Sequence, residues 1–106
     1  LPAYRGLDTH ERVIADGTRI TGCTVHFVRV DMDAGPIIAQ AAVPVSTSDT
    51  PDSLAHKVLQ AEHLLYPHAL ELVAGGRVRV ESERVVGTNG AGPDMLFSPA
   101  LDRPDR

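Results

Sequence analysis

Thr24-Val25-His26-Phe27-Val28-Arg29-Val30 and Ile37-Ile38-Ala39-Gln40-Ala41-Ala42-Val43-Pro44-Val45 enclose the short segment Asp31-Met32-Asp33-Ala34-Gly35-Pro36. Both flanking runs are rich in β-branched residues and read as strands, so the segment between them is a loop that presents two carboxylates from a rigid scaffold. A connection of a few residues suits an antiparallel pair, because a parallel pair needs a crossover of a dozen residues or more. Over residues 20–30 the side chains alternate. Thr24, His26, Val28 and Val30 share one face and Cys23, Val25 and Phe27 the other, which predicts an interior strand covered on both sides.

Working outward, Thr9 is the expected N-cap of a short helix reaching Asp16, with Val13 and Ile14 as its apolar contact and Gly17 as its stop. After the second strand, the polar connector 46–52 carries a helix start: Thr50 or Asp49 as cap, Pro51 at the first helical position and Asp52 near the positive end of the dipole. Leu54, Val58, Ala61, Leu65, Ala69 and Leu72 then recur at spacings of three and four, and Gly75-Gly76 ends the run. The result is one long helix, with a kink or break expected before Pro67, which lacks the donor for the preceding turn. Residues 77–86 alternate Val78 and Val80 with Arg77, Arg79, Glu81 and Glu83, as in a half-exposed edge strand. From Gly87 onward glycine, proline and polar residues dominate, and a mobile tail over 87–106 follows. The class is α/β, with residues 1–86 as the folded unit.

A chain of 106 residues, 42% hydrophobic and 23% charged, supports one modest core. Its net charge of −4 and the lack of a dense Lys/Arg cluster argue against a nucleic-acid partner. No apolar run is long enough to span a membrane, and no leader pattern is evident. The single Cys23 excludes an internal disulfide and lies in an apolar strand, consistent with a reducing compartment and hence the cytoplasm. The opening Leu1-Pro2-Ala3-Tyr4-Arg5-Gly6 reads as the middle of a loop, as though the chain began inside a larger protein.

Three positions are chemical candidates. Asp31 and Asp33 could form a carboxylate pair for acid-base work, or each could cap a turn before Gly35-Pro36. His26 could orient a catalytic partner, or be a satisfied core histidine. Glu62 falls ~80° around the long helix from Leu54, on the shoulder of the apolar stripe. A carboxylate there requires a partner, either a ligand hydroxyl or a nearby arginine. No two histidines stand at the i, i+4 spacing of a helical metal site, so no metal is expected.

Four ordered blocks give these candidates a context: Leu1-Pro2-x-Tyr4-x-Gly6-Leu7-x-Thr9-His10, Gly22-x-Thr24-Val25-His26-Phe27-Val28, Asp33-x-Gly35-Pro36-Ile37-Ile38-x-Gln40 and Glu62-His63-x-x-Tyr66-Pro67. Together they resemble the C-terminal half of the glycinamide ribonucleotide formyltransferases of purine biosynthesis. The resemblance implies the C-terminal part of a formyltransferase-type mixed sheet flanked by helices. It also implies formyl transfer from 10-formyltetrahydrofolate, a co-substrate, to the amine of glycinamide ribonucleotide. On that resemblance Asp33 is the catalytic aspartate and His26 a supporting residue beside it. Val28, Arg29, Val30, Asp31, Met32 and Asp33 form the folate-binding loop, and Glu62 contacts the ribose of the nucleotide. Leu59 departs from the pattern, standing where some relatives carry a polar residue.

The same resemblance implies that the family's Asn-x-His-Pro-Ser motif would lie immediately before Leu1 and its phosphate loop earlier still, so the N-terminal half of the same enzyme is an expected partner and this chain alone should have little activity. A homodimer is left open. The alternatives are a 10-formyltetrahydrofolate hydrolase, which shares the His26-Phe27-Val28 and Asp33-to-Ile38 blocks, and a non-catalytic half that only binds folate or assembles.

Overall fold

The computed structural model describes residues 8–28, 35–87 and 92–102. They form a short helix α1 (Thr9–Ala15), strands β1 (Ile20–His26) and β2 (Ile37–Pro44), a long helix α2 (Pro51–Ala74), and strands β3 (Val78–Glu81) and β4 (Arg84–Gly87). The expected α/β architecture is observed. The described strands make two antiparallel pairs, β1 with β2 and β3 with β4, so the parallel part of a mixed sheet is not among them.

β1 and β2 pair from Ile20↔Pro44 to Val25↔Ala39, as the short connection predicts. A bulge follows, with His26 opposite Ile37, so β2 carries one extra residue just where the strands enter the loop. Within the described residues β1 has a neighbour on one side only, not two as an interior strand requires. Its faces also differ: Thr21 and Cys23 are buried, Thr24 and His26 are half-buried, and Val28 is 89% exposed. The two-faced covering expected from apolar alternation fails because α2 and α1 supply a layer to the Cys23 face.

α2 begins where the connector predicts. Thr50 Oγ1 accepts from Ser53 N–H, and Ser53 Oγ accepts from Thr50 N–H, a reciprocal capping box, with Pro51 at the first helical position. The helix runs unbroken through Pro67. Pro67 and His63, whose carbonyl loses its donor there, are both exposed, so water can satisfy that oxygen and the ring lies away from the core. Leu54, Val58 and Leu65 pack with Val13 of α1, Cys23, Val43 and Val45 in one core, in which Leu54 and Val13 are fully buried.

Two further local expectations are corrected. The cap of α1 is Asp8 rather than Thr9, and its side chain makes no capping bond. Residues 77–86 are a hairpin rather than one strand: Ser82 and Glu83 adopt φ of 51° and 67°, the left-handed geometry of a two-residue turn that reverses the chain with the strand twist. Within residues 92–102, Ser98 Oγ donates to the carbonyl of Arg19 at 2.9 Å, beside the start of β1.

Candidate functional site

The candidate site lies at the bulged end of the β1–β2 pair. Phe27 N–H donates to the carbonyl of Pro36, and Gly35 N–H donates to the carbonyl of Phe27, each at 2.9 Å. These two bonds continue the ladder past the bulge and fix the two ends of the connecting loop. The loop itself, with Arg29, Val30, Asp31, Met32 and Asp33, lies outside the described residues. Of the expected folate-binding positions only Val28 is described.

His26 stands at the last position of β1. Its Nδ1 donates to the carbonyl of Phe27 at 2.9 Å, so that carbonyl accepts both from the ring and from Gly35. In the neutral tautomer that makes this bond, Nε2 is left as an acceptor. The half-buried imidazole is thereby tied to the loop base. The part played by Phe27 main chain was not readable from sequence, where Phe27 registers only as an apolar side chain on an alternating strand.

Glu62, midway along α2, is half-buried, and no lysine or arginine among the described residues forms an ion pair with it. The arginine partner considered for it is thus not found among them. The Cys23 thiol of β1 is pushed above its ordinary pKa by burial first and by the charge of Glu62 second. Cys23 is therefore a protonated, buried thiol of the core. The polar contacts nearer the start of α2 are structural. Lys57 Nζ donates to the carbonyl of Pro44 and to Asp49 Oδ2, both at 2.7 Å, which ties the helix to the end of β2. The Lys57 bond, with those from Ser46 N–H and Ser53 Oγ, lowers the pKa of Asp49 to about 2. Among the described residues no three His, Cys, Asp or Glu side chains gather as metal ligands.

Residues 1–70 match the family model described as formyl transferase. The chain belongs to the formyl transferase family. This formyl transferase chain is 52% identical over 80 residues to the trifunctional purine biosynthetic protein adenosine-3 of Bos taurus, a match covering 76% of the chain and 8% of that protein. Among solved structures, the phosphoribosylglycinamide formyltransferase of Anaplasma phagocytophilum superposes with a TM-score of 0.74 at 43% identity, over 92% of this chain and 47% of that one. The formyltetrahydrofolate deformylase of Pseudomonas putida KT2440 superposes equally well, with a TM-score of 0.74, at 31% identity over 83% of this chain and 31% of its own. The formyl transferase chain thus spans less than half the length of each of these relatives.

Proposed function

We propose that this chain is the part of a glycinamide ribonucleotide formyltransferase that carries the folate loop and the catalytic aspartate. The observation that carries the reading is the loop base: a bulge and two main-chain bonds at Phe27 hold the ends of a loop that lies within the residues matched to the formyl transferase family and whose sequence resembles a folate-binding segment. In this reading residues 1–86 belong to the catalytic domain, and the backbone of residues 28–33 holds the pterin of 10-formyltetrahydrofolate. The nucleotide amine attacks the formyl carbon and a C–N bond forms. The bond from that carbon to the folate nitrogen then breaks, and the proton lost by the amine passes to the leaving nitrogen. Asp33 helps move that proton and holds a histidine of the complementary part of the domain in its charged form. His26, fixed through Phe27, is a positioning residue beside Asp33. Glu62, half-buried and without a cationic partner among the described residues, has the free acceptor oxygens that a ribose hydroxyl requires. The buried Cys23 thiol supports a reducing, cytoplasmic setting.

The deformylase likeness gives the second reading, in which water replaces the amine. The higher identity to proteins named for purine biosynthesis favours the first. The complete protein containing this chain, supplied with 10-formyltetrahydrofolate with and without glycinamide ribonucleotide, separates the two. Formylated nucleotide is expected only when nucleotide is present. Formate release independent of nucleotide would establish hydrolysis instead.

A further inference from the structure

Each end of the β1–β2 pair has a main-chain carbonyl that accepts two bonds. At the loop end it is that of Phe27. At the other end the carbonyl of Arg19 accepts from Val45 N–H, the closing rung of the ladder, and from Ser98 Oγ, each at 2.9 Å, so both of its lone pairs are used. Ser98 stands 79 positions along the chain from Arg19, beyond residues 1–70 of the family match. Its neighbours are not those of a purely polar tail, since Met95, Leu96, Phe97 and Leu101 are all large and apolar. Strand alternation turns Thr21, Cys23 and Val43 towards α2, and Ile20, Ala42 and Pro44 onto the opposite face. Leu96, Phe97 and Ser98 enclose a cleft of about 230 Å³ with these last three residues. On its other side, the run from Phe97 to Ala100 meets Arg19, Val45 and Lys57 around a second cleft of about 430 Å³. The segment therefore crosses the hairpin end between two clefts, with Phe97 and Ser98 bordering both.

We propose that residues 96–100 are an intramolecular clasp on the hairpin end remote from the loop, with Phe97 seated on the sheet face opposite α2 and Ser98 locking the last rung. The end of a ladder is where pairing opens first, because its closing rung has a neighbour on one side only. Here that rung also sets two junctions: Arg19 lies between α1 and β1, and Val45 between β2 and the connector to α2. Lys57 holds the same end from the helix side, through the carbonyl of Pro44. Ser98 holds it from the tail, and because its hydroxyl uses the free lone pair of a carbonyl already bonded to Val45, the clasp adds a bond without displacing one. The seat is shallow. Phe97 remains 51% exposed beside the open clefts, so the clasp can release, and release leaves the second lone pair of the Arg19 carbonyl to water. The proposal holds for either formyl transfer or hydrolysis, since it involves neither the loop nor Glu62.

The test is native-state hydrogen exchange on the complete protein containing this chain, read at individual amides. Phe97→Ala combined with Ser98→Ala is expected to speed exchange of the Val45 amide about 10-fold or more, as loss of a hydrogen bond and an aromatic contact beside a terminal rung should. Ser98→Ala alone, the milder change, should speed it about 3-fold, and it carries the comparison if the double variant does not fold. The amides of Phe27 and Gly35, which close the loop end, should change less than about 2-fold in both variants. Leu101→Ser, at a half-exposed position bordering neither cleft, should leave Val45 equally unaffected. Either of two results would overturn the proposal. Val45 exchange within about 2-fold of wild type in the clasp variants would show that the segment holds nothing. Equal acceleration at Val45, Phe27 and Gly35 would make it a contributor to global stability with no particular hold on this end.

Discussion

Gly22 is the position at which the hairpin tolerates least. A Cβ built there would stand 2.0 Å from the carbonyl oxygen of Ala41 and 3.1 Å from its carbonyl carbon, both main-chain atoms of β2 that cannot swing aside. An ordinary C···O contact of about 3.3 Å would require the strands to part by roughly 1.3 Å at this point. That separation stretches ladder bonds flanking Ala41 beyond hydrogen-bonding distance. Two lost bonds at about 1 kcal/mol each, with about 1 kcal/mol of residual overpacking strain, put the cost of Gly22→Ala near 3 kcal/mol. With a urea m-value of ~1.5 kcal/mol/M for a chain of this size, the unfolding midpoint should fall by about 2 M. Gly92→Ala, where an added Cβ meets nothing within 4 Å, serves as the control and should leave the midpoint in place. Equilibrium unfolding followed by circular dichroism reads both. A Gly22→Ala midpoint within about 0.3 M of wild type would refute the close approach of β1 and β2, and with it the geometry that sets the loop base.

Leu54→Ala empties a fully buried position between α2, the hairpin and α1, and should cost about 2–5 kcal/mol in the same unfolding experiment. Asp49, whose pKa is lowered from 3.8 to about 2, is charged and bonded to Lys57 in the folded chain. Its contribution is therefore fully present above about pH 4 and is lost as pH falls towards 2, so wild type should lose melting temperature across that window more steeply than Asp49→Asn. Replacing Ser82-Glu83 by Asn-Gly suits the left-handed turn between β3 and β4, and should raise stability by about 0.5–1 kcal/mol in thermal melts.

Much of the fold was legible because local signals and tertiary needs agree. Thr50-Pro51-Asp52 starts a helix by capping chemistry, and the stripe from Leu54 to Leu72 gives that helix a core to bury, so α2 runs from Pro51 to Ala74 as expected. The β1–β2 pair followed from two β-branched runs joined by too short a link for a crossover. Where the reading failed, the determining interaction was not local. Ser82-Glu83 lacks the Asn-Gly signature of its turn, so the β3–β4 hairpin read as one strand. Pro67 breaks helices in isolation, but on the exposed side of a packed helix its missing bond falls to solvent. For the site, spacing alone left Asp33 indistinguishable from a turn cap and Glu62 from half of an ion pair. Their assignment came from the order of the family blocks. The Phe27 bracket that ties His26 to the loop is made of main-chain atoms, and no side-chain pattern announces it.

The central claim is that Asp33, at the end of the loop between β1 and β2, moves the proton in formyl transfer. Asp33→Asn in the complete enzyme keeps the side chain's size and removes its charge. Turnover of 10-formyltetrahydrofolate with glycinamide ribonucleotide should drop by about 10²–10⁴-fold, the worth of a positioned acid-base group, with the unfolding midpoint nearly unchanged. Formyl transfer at the wild-type rate by the folded Asp33→Asn enzyme would contradict the assignment.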